Sequence, residues 1–152
     1  MIQPLLKHLE QADSGLFIHA PEGTCQRLAE ALGDAGKPLA GLTETEDSAL
    51  AIEQLVDQLA VEPGHTLAVT LEAASRLIGE PIYIVIDRAE RLEHADLTYA
   101  LKAARDALAS SELAGLRLAF FSADRAALER MTRLQASAFF CAPIVEAPCP
   151  NF

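Results

Sequence analysis

The sequence predicts an α/β domain built on a mainly parallel sheet, and three observations carry that expectation. Ile82-Tyr-Ile-Val-Ile86 is an unbroken apolar run with no polar face, which suits a parallel strand covered on both sides. Segments of helical periodicity separate this run from the other strand-like segments, the alternation from which parallel sheets are built. Hydrophobic residues make up 51% of the 152 residues but aromatic ones only 5%, so the core is aliphatic, made of Leu, Ala, Ile and Val. A chain of this length is expected to form one domain, residues 1–152, burying about 68–70% of its unfolded surface.

Taken in order, Ile2 to Ala12 places Ile2, Leu5, Leu6 and Leu9 on one helical face and stops at Asp13-Ser14-Gly15. Leu16 to His19 reads as a buried strand. Thr24 is placed to cap a helix from Cys25 to Leu32 that ends at Gly33-Asp34-Ala35-Gly36. Pro38 to Leu42 is a strand candidate containing Pro38 and Gly41, which assigns it to a sheet edge. From Asp47, the spacing of Leu50, Ile52, Leu55, Val56 and Leu59 is helical up to Pro63-Gly64, and a second helix follows from His65 to Ile78, closed by Gly79. Beyond the Ile82 run, Asp96 opens a helix through Ser110, with Leu97, Leu101, Ala104 and Leu108 on one stripe. Leu116 to Phe121 is a strand, Ala126 to Leu134 a helix, and Ile144-Val145 a short last strand. The five strands are expected near 16–20, 38–43, 82–87, 116–121 and 143–146.

The formal net charge of −10 argues against a nucleic-acid partner, because affinity for a phosphate backbone comes mainly from Lys and Arg. No run of roughly 18 apolar residues and no basic-then-apolar leader is present, so a cytoplasmic protein without a membrane partner is expected. Cys25, Cys141 and Cys149 are an odd number without C-x-x-C spacing, which argues against a disulfide framework or a structural zinc site.

Leu16-Phe-Ile-His-Ala-Pro-Glu-Gly-Thr-Cys-Gln-Arg-Leu28 has the strand–loop–helix outline of a phosphate-binding loop. Such a loop reads G-x-x-x-x-G-K-[ST]: the glycines let backbone N–H groups close around phosphate, the Lys meets the β- and γ-phosphates, and the hydroxyl holds Mg²⁺. Here the two glycine positions hold Ala20 and Cys25, the lysine position Gln26 and the hydroxyl position Arg27. Glu22 sets a negative charge where phosphate would approach.

Further along come Ile84-Val-Ile-Asp-Arg-Ala-Glu90, Ala100-Leu-Lys-Ala-Ala-Arg-Asp106, Phe121-Ser-Ala-Asp-Arg-Ala-Ala-Leu128, Phe139-Phe-Cys-Ala142 and Glu146-Ala-Pro148. This succession resembles bacterial P-loop ATPases of the AAA+ type with a D-E-A-Q Walker B motif. There a hydrophobic strand ends in D-E-A-Q and a helix carries A-L-K-A-A-R-D. A strand ending in T-G-S-x-R-x-x-L follows, then F-F-G and a Pro-containing strand. The A-L-K-A-A-R-D match is the most specific piece, and with the degenerate loop the resemblance spans nearly the whole chain. It implies a three-layer αβα core with the sheet order 5-1-4-3-2. It also implies a helical lid after the last strand, and the chain ends before one.

The resemblance places Asp87 at the Walker B aspartate, where the family holds Mg²⁺. The alternative is a carboxylate capping the strand end, paired with Arg27 or Arg88. Arg88 replaces the glutamate that polarises the attacking water, and a guanidinium that stays protonated cannot be a general base. Glu90 lies two residues on, ~6.6 Å along an extended strand, too far for a contact that needs ~3 Å. Phe121 stands at the polar sensor position. Arg125 matches the family's Arg, although a lone Arg at a helix start is more often solvated or salt-bridged. Cys25, at a helix start with His19 in the vicinity, is read either as a reactive thiol or as a small residue packing where Gly once bent the chain.

Losing several charge-stabilising groups at once removes hydrolysis, since each commonly contributes ~10²-fold or more. The expectation is a catalytically inactive P-loop ATPase-like domain with no cofactor and no metal, retained for its surface and a protein partner. Phe139 to Ile144 is a candidate contact segment or part of the core. Under the alternative, the chain binds ATP with Mg²⁺ and hydrolyses it weakly or not at all, through Gly23, Thr24, Cys25, Gln26, Arg27, Asp87 and Arg125, with Arg27 in place of the lysine. A third reading, a flavodoxin-like or receiver-like module, requires a 2-1-3-4-5 sheet.

Overall fold

The computed structural model describes residues 3–11, 15–43, 45, 47–109, 112–134 and 137–147. The elements follow as α1 (Gln3–Gln11), β1 (Leu16–His19), α2 (Thr24–Asp34), β2 (Leu39–Leu42), α3 (Ser48–Leu59), α4 (Leu67–Ile78), β3 (Ile82–Ile86), a 3-10 turn (Ala89–Leu92), α5 (Leu97–Leu108), β4 (Leu116–Ser122), α6 (Arg125–Arg133) and β5 (Ile144–Glu146). All strand pairs are parallel, and the order is β2-β3-β4-β1-β5. Counted from the other edge this is 5-1-4-3-2, which rules out the 2-1-3-4-5 alternative.

The sheet is covered on both faces because the strands have no polar face to give to water. Ile82, Ile84 and Ile86 point into one apolar cluster with Phe17, Leu118 and Phe120, under α3, α4, α5 and α6. Tyr83 and Val85 point into the other with Leu16, Ile18, Ala119 and Phe121, under α1 and α2. Every residue of β3 is buried, as its unbroken apolar run requires. The strand with Gly41 lies at an edge, and α3 closes it: Gln58 Nε2 donates to the Gly41 carbonyl at 2.8 Å, while its Oε1 accepts from the Gly41 N–H at 2.7 Å. A side-chain amide thus takes the place of a neighbouring strand.

Element ends follow ordinary capping chemistry. Asp47, Thr66 and Asp124 accept from the backbone N–H groups of Leu50, Val69 and Ala127, and Gly79 closes α4 in the left-handed region at φ 74°. Two expected caps differ. Thr24 is the first residue inside α2 rather than its cap; Gly23 holds the cap position at φ 91° and the Thr24 hydroxyl donates back to the Pro21 carbonyl at 2.9 Å. Asp96 precedes α5 without a side-chain cap, and helix α2 runs through Gly33 to Asp34. Ile2, Ala12 to Ser14, Ser110, Pro148 and Cys149 lie outside the described residues.

The A-L-K-A-A-R-D helix does structural work. Leu101 and Ala104 are buried in the core, Lys102 donates to Asp106 at 3.1 Å, and Arg105 lies over the Phe139 ring at 5.4 Å. Phe139 belongs to the core: it meets Phe17 and Phe120 edge-on at 5.7 and 5.0 Å, while those two stack at 4.4 Å. The candidate contact segment therefore divides, with Phe139 and Ala142 buried and Phe140 and Cys141 exposed. Gly15 tolerates no side chain beside this trio, since a Cβ would stand 2.9 Å from the Phe120 ring.

Glu93, just past the 3-10 turn, accepts from both Arg130 Nε and Nη2 on α6, the latter at 2.9 Å. The hydrogen bond from Arg130 holds the Glu93 carboxyl below the usual carboxylate range. Such a group stabilises the fold above its unfolded pKa and loses that contribution as pH falls through its lowered folded value. Glu93→Gln is expected to lower the urea midpoint at neutral pH, with the gap to wild type closing in acid. Phe139→Ala is expected to cost about 3–5 kcal/mol in the same measurement, because it empties the middle of a ring cluster.

Candidate functional site

The C-terminal ends of β1, β3 and β4 meet at one edge of the sheet, where open parallel sheets hold ligands. The connection from β1 to α2 is only residues 20–23. Its donors are partly used: Ala20 N–H donates to Ser122 O at 3.0 Å, Thr24 N–H to Pro21 O at 3.3 Å, and Pro21 has none to offer. Beneath the loop lies a recess of about 40 Å³, lined among others by Glu22, Cys25, Asp87, Arg88, Glu90 and Phe121. That holds a water or two, well below the roughly 300 Å³ at which ligand pockets begin.

The structure brings some expected site residues together and disperses others. Cys25 and Asp87 share the recess. Gln26 turns to Glu30 at 3.5 Å, and Arg27 Nη2 donates to Thr24 Oγ1 at 3.4 Å, so both lie along α2 rather than over the loop. Gly23 is exposed and its φ of 91° serves the entry to α2. Asp87 Oδ1 accepts from the Arg88 N–H at 3.0 Å, a cap of the strand end by the adjacent peptide. Among the described residues, no three His, Cys, Asp or Glu side chains gather as a metal site.

Cys25 is buried, which pushes its thiol up to about 12, and the charge of Asp87 adds to the effect. The helix start does not activate it. His19 does not face it either: strand alternation sends Ile18 to the Cys25 side of the sheet and Phe17 to the other, and His19 follows Phe17.

Glu90 departs from the extended-strand expectation. Arg88 takes φ 52°, the chain turns into a 3-10 turn, and Glu90 comes back to line the recess with Asp87. Its Oε2 is buried with no protein partner, and the recess has room for the water that such an oxygen takes.

Arg125 is engaged by carboxylates. Its Nη1 pairs with Glu146 Oε1 and its Nε donates to Glu129 at 3.2 Å. His19 completes the group, with Nδ1 2.6 Å from Glu146 Oε2 and Nε2 3.3 Å from the Ala123 carbonyl. His19 and Glu146 are direct partners in the β1–β5 register, a neighbour relation visible in the sequence only once that sheet order is assumed.

No protein-family model matches the sequence, and no curated protein matches it significantly. The fold is similar to that of the Walker-type ATPase paby2304 of Pyrococcus abyssi, at 12% identity and a TM-score of 0.64. The match covers 99% of this chain and 53% of that one. It is also similar to the Aeropyrum pernix ORC2 protein in its ADP form (12% identity, TM-score 0.59, 97% and 46% covered). The ORC2 protein in ADPNP–ADP complexes matches at 11% identity and a TM-score of 0.57, with 97% and 45% covered. The chain therefore has a P-loop ATPase-like fold and spans about half the length of these structures. No helix among the described residues is long and apolar enough to cross a membrane.

The buried thiol sets a test. In the folded protein Cys25 is expected to resist iodoacetamide at mild alkaline pH and to label after unfolding, as read by peptide mass spectrometry. An acid whose folded pKa is raised keeps its proton longer folded than unfolded, so stability falls with rising pH above the ordinary thiol range up to about 12. Cys25→Ala should flatten that alkaline slope.

Proposed function

We propose that this chain is a catalytically inactive P-loop ATPase-like domain that works in the cytoplasm through protein contacts. The observation that carries this reading is the recess itself. Glu22, Asp87 and Glu90 line it against a single arginine, Arg88, Cys25 supplies a neutral thiol, and the lysine position of the motif holds Gln26, which turns along α2. Phosphoryl transfer depends on positioning and on cations that stabilise charge on the phosphate oxygens. A small recess lined by three carboxylates and one arginine supplies a net charge of the opposite sign. Arg125, the family's own arginine position, is already paired with Glu146 and Glu129, which supports the same conclusion.

Under the competing reading, Arg27 would serve as phosphate ligand at the start of α2, with ATP and Mg²⁺ bound and not hydrolysed. Its exposure favours that reading, because the hydrogen bond that holds the guanidinium, to Thr24, is a long one at 3.4 Å. Titration of the chain with Mg-ATP by calorimetry separates the two. No saturable heat is expected; sub-millimolar binding lost in Arg27→Ala would replace the first reading with the second.

Restoring the loop tests the geometry. Cys25→Gly, Gln26→Lys and Arg27→Thr together should give measurable nucleotide affinity, strengthened by Glu22→Ala, whose charge opposes phosphate by about 1–2 kcal/mol at ~8–10 Å and an effective dielectric of 20. Hydrolysis should stay absent until Arg88→Glu is added. A folded quadruple variant that binds no nucleotide would mean that the four-residue connection does not have P-loop geometry.

A further inference from the structure

Helix α4 buries one side and exposes a partly apolar other side. Leu67, Leu71 and Ala74 face the core, packed between α3 and α5. Its outer side carries Val69, Ala73 and Leu77, spaced i, i+4, i+8 and therefore aligned as one stripe. Val69 is 50% exposed and Leu77 78%, the most exposed of the large hydrophobic side chains. Arg76, exposed, and Glu72, half-buried, lie beside this stripe on the same outer side, and no described residue covers Leu77.

The surroundings of the stripe indicate what would cover it. Among the described residues from 47 to 80 there are six carboxylates (Asp47, Glu53, Asp57, Glu62, Glu72 and Glu80) against one arginine, Arg76, which is exposed on α4. Glu53 and Asp57 lie on the exposed side of the adjoining α3, Glu80 is exposed just beyond α4, and Leu50 adds another exposed apolar side chain on α3. A second copy docking the same face to itself would oppose two like-charged surfaces, which disfavours a two-fold contact.

We propose that the outer face of α3 and α4 is the docking surface for a cationic amphipathic helix of a partner protein, its apolar side on Val69, Ala73 and Leu77 and its Lys or Arg residues toward Glu53, Asp57 and Glu80. This deepens the reading of the chain as a protein-contact module and rests on it. The apolar stripe supplies burial at the centre, and the carboxylates supply steering and orientation at the rim.

The test is fluorescence polarisation of a labelled model helix with a leucine face flanked by lysines, beside its counterpart with glutamates. The lysine helix is expected to bind saturably and the glutamate helix not. Raising salt from about 0.1 M to about 1 M should weaken binding, since the screening length shrinks from roughly 10 Å to roughly 3 Å. Val69→Ser with Leu77→Ser should weaken it by about tenfold or more, the loss of roughly one buried aliphatic contact or more. Glu53→Lys with Asp57→Lys should do so independently. All four positions are exposed, so thermal unfolding of the variants should match wild type. Failure of the lysine helix to bind, or binding indifferent to Val69 and Leu77, overturns the proposal. Self-association of the chain that Leu77→Ser abolishes would assign the face to a second copy and overturn the choice of partner. Mg-ATP binding by the wild-type chain would count against the inactive-domain reading alone, so the two failures are distinguishable.

Discussion

A parallel strand with no polar face can exist only between two layers, and Ile82–Ile86 imposes that condition on everything around it. Its isoleucines require one apolar cluster and Tyr83 with Val85 another. The sheet must then lie with β3 inside it, helices must fall on both sides, and each connection must cross from one end of the sheet to the other. The loops that leave the C-terminal strand ends are thereby brought together. The recess beside Asp87 exists because of that crossing, whatever residues line it.

Much of this was legible in the sequence, for a physical reason. Periodicity reports burial, and burial is what fixes elements in such a fold, so β1 through β5 lie where the apolar runs lie, with ends moved by a residue or two. The edge assignment of β2 followed from Pro38 and Gly41, which weaken a central strand, although the Gln58 amide that closes the edge comes from 17 residues away and has no local signature. The order of the strands came from the resemblance and not from periodicity.

The site was less legible, because it depends on backbone turns and on contacts distant in sequence. Glu90 reaches the recess only because Arg88 adopts φ 52°, a conformation rare for a residue with a side chain and unmarked by any glycine. His19 and Glu146 are 127 residues apart, and their pairing is a property of the β1–β5 register. Cys25 was open to two readings in the sequence; burial beside Asp87 decides for the unreactive one. Phe139 looked like surface or core with equal right until Phe17 and Phe120 were placed against it.

The arrangement of charge ties these particulars together. In a nucleotide-binding core, cations at the C-terminal edge of the sheet are balanced by the phosphates that arrive there. Here the arginines near that edge find their counter-charges within the chain: Arg125 in Glu146 and Glu129, and Arg130 in Glu93. An ion pair already made must be broken before either partner serves a ligand, and the freed carboxylate would then repel phosphate. At this edge Arg125 and Arg130 are thus engaged by the chain's own carboxylates, while Glu22, Asp87 and Glu90 outnumber Arg88 around the recess. On the α3–α4 side, exposed carboxylates (Glu53, Asp57) and exposed apolar side chains (Leu50, Val69, Leu77) occur together. On the proposed reading of the chain as a contact module, that face, rather than a recess of about 40 Å³, offers a partner apolar surface to bury.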